Sequence, residues 1–245
     1  MNSNTHWTGR IRHAALITGA TLGLLLIFLA VTGQRLSSQG GNVSEIGLDG
    51  YQFVGRIDQN GASFTGYGYL YDMTGVSPDK LFSDPYNPSE ETAHFTYYAT
   101  ATLSSRAVLT DAVRSIFALD STGEITFYYQ ATPAASFADP GSFAEGEAVT
   151  NASLHLQDIL TVQAPNRGLS NGNGVFDVLT AQSFEFDGGD VRLGRPGRSY
   201  RITTVGDAVR TDAAIPQSSV LLAGSAFGAG GNQAFLPLIS SDGEQ

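Results

Sequence analysis

The feature that most constrains this chain is an apolar–polar alternation with a period of two, repeated along most of its length. Tyr51, Phe53, Gly55 and Ile57 alternate with Gln52, Val54, Arg56 and Asp58. Residues 64–71 set Tyr67, Tyr69 and Tyr71 on one face and Gly66 and Gly68 on the other. Residues 94–103 and 124–131 repeat the pattern, with Phe95, Tyr97, Ala99, Ala101 and Leu103, then Ile125, Phe127 and Tyr129, on the apolar sides. Successive side chains of a strand point to opposite faces, so this period belongs to half-buried strands and not to helices. Glycine inside a strand marks a bend or a close backbone approach, as at a barrel corner.

Turn signals divide the pattern. Asn60-Gly61 supplies a pair able to take positive φ, and 120–123, 187–190 and 195–198 read as turns by composition. Residues 72–93, 132–147 and 164–174 read as long Pro/Gly-rich loops, while 107–119 also fit a short amphipathic helix. Short strands continue at 152–162, 175–179, 182–186, 191–194 and 199–205. The reading is all-β: an antiparallel β-barrel or β-sandwich of about nine or ten strands, preceded by one N-terminal hydrophobic helix. A doubly wound sheet and a solenoid are disfavoured, because long helices do not alternate with strands and no repeat of the required length appears.

That N-terminal helix is predicted over residues 14–33, twenty residues without a charge and long enough to span a bilayer. Arg10 and Arg12 precede it and Arg35 alone follows closely, which places the N-terminus in the cytoplasm and the rest outside. Two readings stay open, a cleaved signal peptide and an uncleaved single-pass anchor through which the membrane would be a partner. The expected organisation is 1–33 as that segment, 34–49 as a linker, 50–212 as the antiparallel domain, and 213–245 as a weakly apolar tail packed on it.

Composition narrows the chemistry. The 245 residues include no cysteine, which excludes disulfides, thiolate metal sites and cysteine nucleophiles. Thirteen basic residues against 23 acidic ones give a net charge of −10, which makes nucleic acid an unfavourable partner. Beyond residue 33 only His94 and His155 titrate near neutrality, and the strand phase puts both on polar faces. Two histidines without thiols are too few for a three-ligand zinc site unless a carboxylate joins them. Asp58 opens an EF-hand-like pattern, but Tyr69 stands where the bidentate Glu is needed. No metal and no cofactor are expected.

The remaining candidates for binding are Tyr98 beside His94, and the cluster Arg192, Arg195, Arg198 and Arg201. Arginine forks bind carboxylates and phosphates in bidentate fashion, although these four could equally pair with nearby acids such as Glu185 or Asp187. No nucleophile elbow, metalloprotease pair, phosphate loop or dinucleotide fingerprint occurs. The functional expectation is an exported, non-enzymatic surface or envelope module that holds a small apolar or sugar-like ligand or contacts a partner through its loops. The alternatives are a cofactor-free isomerase or hydrolase around His94 or His155, and a subunit of an extracellular assembly, a homo-oligomer among its forms.

Overall fold

The computed structural model describes residues 43–212 and 217–229. The predicted hydrophobic helix, residues 14–33, lies outside them, and no helix among the described residues is long and apolar enough to cross a membrane.

Strands follow the alternation closely. In chain order they are β1 (Ser44–Ile46), β2 (Gly50–Asn60), β3 (Ser63–Met73), a single helical turn α1 (Pro78–Leu81), β4 (Phe95–Thr110), β5 (Ser115–Tyr129), β6 (Glu147–Ala164), β7 (Arg167–Ala181), β8 (Ser183–Phe186), β9 (Gly189–Leu193), β10 (Ser199–Asp212) and β11 (Gln217–Ala229). Eight of them, β2–β7 with β10 and β11, close into an antiparallel barrel in the order β10-β11-β2-β3-β4-β5-β6-β7. Closure removes every free edge of that sheet, which a sandwich would leave exposed. The remaining three form a small sheet, β1-β9-β8, in which β1 runs parallel to β9.

Several segments differ from their sequence reading, each for a local reason. Residues 107–119 are not helical: they are the end of β4, a turn at 111–114 held by Asp111, and the start of β5. Residues 120–123 lie inside β5, fully paired to β4 and β6. Residues 164–174 contain only the tight turn between β6 and β7, and the rest is strand. Residues 217–229, within the expected tail, form β11, which hydrogen-bonds to β2 and β10 and completes the barrel. The 187–190 turn is as composition predicts: Asp187 and Gly188 take φ of 52° and 77°, the paired positive values of a type I′ hairpin.

The barrel is not uniform along its axis. The short turns β2–β3, β4–β5 and β6–β7 gather at one end, where β10 and β11 also pair at Asp212 and Gln217, and the long connections run over the other. At the covered end the interior is filled by rings. Phe176 stacks on Tyr200 at 4.8 Å and 11°, and Tyr51 meets both, while Phe127 and Tyr97 continue the row. Tyr97 crosses the lumen because Gly55 and Gly68 face it, and a Cβ on Gly55 would lie 2.1 Å from the Tyr97 hydroxyl. Phe184 and Phe186 of the small sheet close this end against Phe95 and Tyr129. Burial pushes the Tyr200 hydroxyl up to about 12, and it donates to the Gly47 carbonyl at 3.0 Å.

Candidate functional site

Below the aromatic rows the same inward positions carry smaller side chains, and the lumen becomes hollow. Gly66 on β3, Ala99 and Ala101 on β4, Ser121 on β5, Leu154 and Leu156 on β6, and Val220 on β11 surround a cavity of about 70 Å³. Gln59, Leu119, Leu160 and Ser218 belong both to its wall and to that of a wider vestibule of about 490 Å³ at the end where the short turns gather. That vestibule falls within the ~300–1,000 Å³ typical of small-molecule sites. Its wall is apolar over Phe117, Leu119, Leu160 and Val162, with Arg106, Arg167 and Arg210 around it and no carboxylate among the described residues that line it.

One titratable side chain faces the inner cavity. Asp158 sits on β6 beside Gly172 of β7 and Leu119 of β5, and Ser170 Oγ donates to it at 2.8 Å. Burial raises its carboxyl above the usual range, and the hydrogen bonds from Ser170 and from the backbone of Ile159 and Asn171 only partly offset this.

The histidines and arginines picked from sequence lie elsewhere. His94 precedes β4 at the covered end, where its Nδ1 lies 2.7 Å from the Gln130 carbonyl and its ring 6.0 Å from that of Tyr129. Tyr98 points outward from β4 and packs, half-buried, against Tyr67 and Phe143 of the 130–146 connection. Thr96 Oγ1 donates to the Phe143 carbonyl at 2.7 Å, and Gln130 Nε2 to Ser142 O at 3.1 Å, so this connection is fastened to the outer wall. The tyrosine face of β3 is therefore partly covered: Tyr67 is buried and donates to Asp58 at 2.6 Å, while Tyr71 is exposed.

His155 projects from the outer face of β6, with Nε2 2.6 Å from Asp120 Oδ1. The register brings Arg201 near it, across Val175, along a shallow outer groove of about 280 Å³. Ser104 also donates to Asp120, at 3.0 Å, on the side of the carboxylate away from the imidazole's partner oxygen. Asp120 is held below the usual carboxylate range chiefly by the hydrogen bond with His155, then by that from Ser104.

The other three arginines converge on an acid that the sequence reading did not name. Parallel pairing of β1 with β9 sets Glu45 beside Arg192, and Arg195 forms a two-pronged ion pair with Glu45, its Nε at 3.1 Å. Arg198 donates to the Leu48 carbonyl at 2.9 Å. Hydrogen bonding to Arg195, reinforced by the charges of Arg192 and Arg198, lowers the Glu45 carboxyl against its burial. Asp187 instead pairs with Lys80 at 2.6 Å. Arg201 does not join this group. Among the described residues no three acids and histidines come together as a metal site.

The lumen residues were missed because none carries a motif. Gly66, Ala99 and Ala101 did show as small residues on the inward phase of adjacent strands, and that was the available signal. Fold and site together define a class: a closed eight-stranded antiparallel barrel, plugged by aromatics at one end and hollow at the other. No protein-family model matches the chain, and neither the curated proteins nor the solved structures compared with it are similar.

Proposed function

We propose that this chain is a non-enzymatic binding module, displayed outside the cytoplasm, which holds a small apolar ligand in the hollow half of its barrel. The observation that carries this reading is the change from a ring-filled lumen to one walled by Gly66, Ala99, Ala101 and Leu156 and open at the vestibule. Packed interiors leave few voids larger than a water molecule, so a half-empty lumen continuous in character with an open mouth suits an occupant. Residues 14–33 support the extracytoplasmic placement through their length and flanking arginines. An isomerase or hydrolase built on His94 or His155 has less support, because both histidines lie off the lumen.

The test is extraction of the purified full chain into organic solvent followed by mass spectrometry, alongside the Ala101→Phe and Ala99→Leu variants. A stoichiometric apolar compound is expected from the wild type and is absent from both variants. Retention of the compound by folded variants would sink the lumen as its site.

A second reading, an assembly subunit, rests on a separate observation. Leu109, Ile116, Ile159, Leu169, Val205 and Leu221 are exposed large apolar side chains, carried by adjacent barrel strands around the hollow half. Apolar patches of this kind mark contact surfaces. Oligomers that dissociate when Leu221 and Val205 are changed to Asn, in sedimentation experiments, are the expected sign of it.

A further inference from the structure

The vestibule differs from the rest of the molecule in charge. The chain carries −10 overall, yet the described residues of the vestibule wall include Arg106, Arg167 and Arg210 and no acid. Arg106 and Arg167 make no ion pair with any described residue, and Arg210 Nε donates to the Asp212 carbonyl at 2.8 Å. Away from the vestibule, Arg56 pairs with Asp58, Arg114 with Asp111 and Arg195 with Glu45.

Arg106 is aimed there by a specific backbone device. Along β4 the even-numbered residues Thr96, Tyr98, Thr100 and Thr102 face outward, and Arg106 would follow them. An irregularity in the β4–β5 register between Leu103 and Ser105 reverses the phase, so Arg106 pairs with inward-facing Leu119. A β-bulge of this kind re-aims a side chain. Arg210 keeps the inward phase of Thr204 and Ala208 to the end of β10. Low-dielectric walls concentrate the field of such charges, and an arginine fork matches an oxyanion.

We infer that the occupant of the lumen is a single-chain amphiphile with an oxyanion head, a carboxylate or a phosphate, seated among Arg106, Arg167 and Arg210. Its hydrocarbon chain runs past Phe117 and Leu160 toward Ala101. This rests on the lumen reading above and assigns the chemistry of its ligand.

The test is equilibrium dialysis of the full chain in lipid nanodiscs, with empty nanodiscs as blank, against decanoate, decyl phosphate, decanol and decyltrimethylammonium at neutral pH. An anionic probe is expected to bind about tenfold or more tighter than decanol, the scale of one charge-assisted hydrogen bond. Which anion binds better identifies the head as carboxylate or phosphate. Arg106→Gln should lose most of that preference while keeping decanol binding, which also reports an intact lumen, and Arg106→Lys should recover part of it. Equal binding of decanol and both anions, tighter binding of the cation, or an Arg106→Gln variant with undiminished preference would overturn the head assignment and leave the lumen reading standing. If no probe binds, or if binding survives Ala101→Phe, the lumen reading fails and the head assignment falls with it.

Discussion

The covered half and the open half of this barrel are built from the same eight strands, yet they solve opposite problems. Toward the covered end, inward positions hold Tyr51, Phe53, Tyr97, Phe127, Phe176 and Tyr200, and glycines on facing strands make room for the rings. Toward the open end, the same phase of the same strands holds Gln59, Gly66, Ala101, Ser121 and Ser170, with Phe64 at the cavity wall. Strand pairing and closure fix the diameter throughout. Whether the interior is core or container is decided by side-chain volume alone, residue by residue along each strand.

The largest effect that could break this contrast comes from emptying the covered half. Phe176→Ala removes a ring that is 2% exposed and stacked on Tyr200, and should cost about 3–5 kcal/mol in urea denaturation. Phe64→Ala, at the wall of the existing cavity, should cost clearly less, because its ring already lacks neighbours on one side. Equal losses would mean that the lower lumen is as well packed as the upper.

A smaller effect sharpens the comparison through pH. Burial raises the Asp158 carboxyl, so the folded chain holds that proton more tightly than the unfolded one. Stability therefore falls as pH climbs from the ordinary carboxylate range through the raised value. Asp158→Asn should accordingly stabilise the protein at neutral pH, and the gain should vanish at a pH below the ordinary carboxylate range. A thermal-melting series across pH reads this, and a variant less stable than wild type at neutral pH would contradict it. The smallest effect belongs to the outer wall. His155→Ala breaks an exposed pair with Asp120 and should leave the melting temperature within error of the wild type.

Much of the barrel was legible because half-buried strands must alternate. The rows at 51–57, 64–71 and 95–103 carried inward and outward faces that the structure keeps. The signal faded where strands lengthen toward the open rim. At 107–119 both faces of the β4–β5 hairpin are largely exposed, so Val108, Leu109 and Val113 no longer obey a period of two and resemble a helix stripe. At 120–123 composition suggested a turn, but Gly123 is there for closeness: a Cβ would sit 1.9 Å from the Thr100 carbonyl oxygen of the adjoining strand. Gly168, Gly172 and Gly174, read as loop, face the lumen from β7.

The site was less legible, since its parts meet only through closure. Arg192, Arg195, Arg198 and Arg201 drew attention by adjacency in sequence. Arg106, Arg167 and Arg210 are scattered along it, and the orientation of Arg106 depends on a bulge that no residue type announces. Glu45 was invisible as a partner for Arg195 because β1 reaches β9 from 150 positions away.

The strand that seals the cylinder, β11, is the last of the described strands and bonds to β2, the second of them. Until β11 has been made those two cannot meet, and β2 and β10 each present a bare row of amides and carbonyls. A polypeptide that stalls or is clipped ahead of Gln217 would thus be an adhesive intermediate with nothing to cap it. Whether the container exists at all therefore turns on the arrival of the single strand Gln217–Ala229.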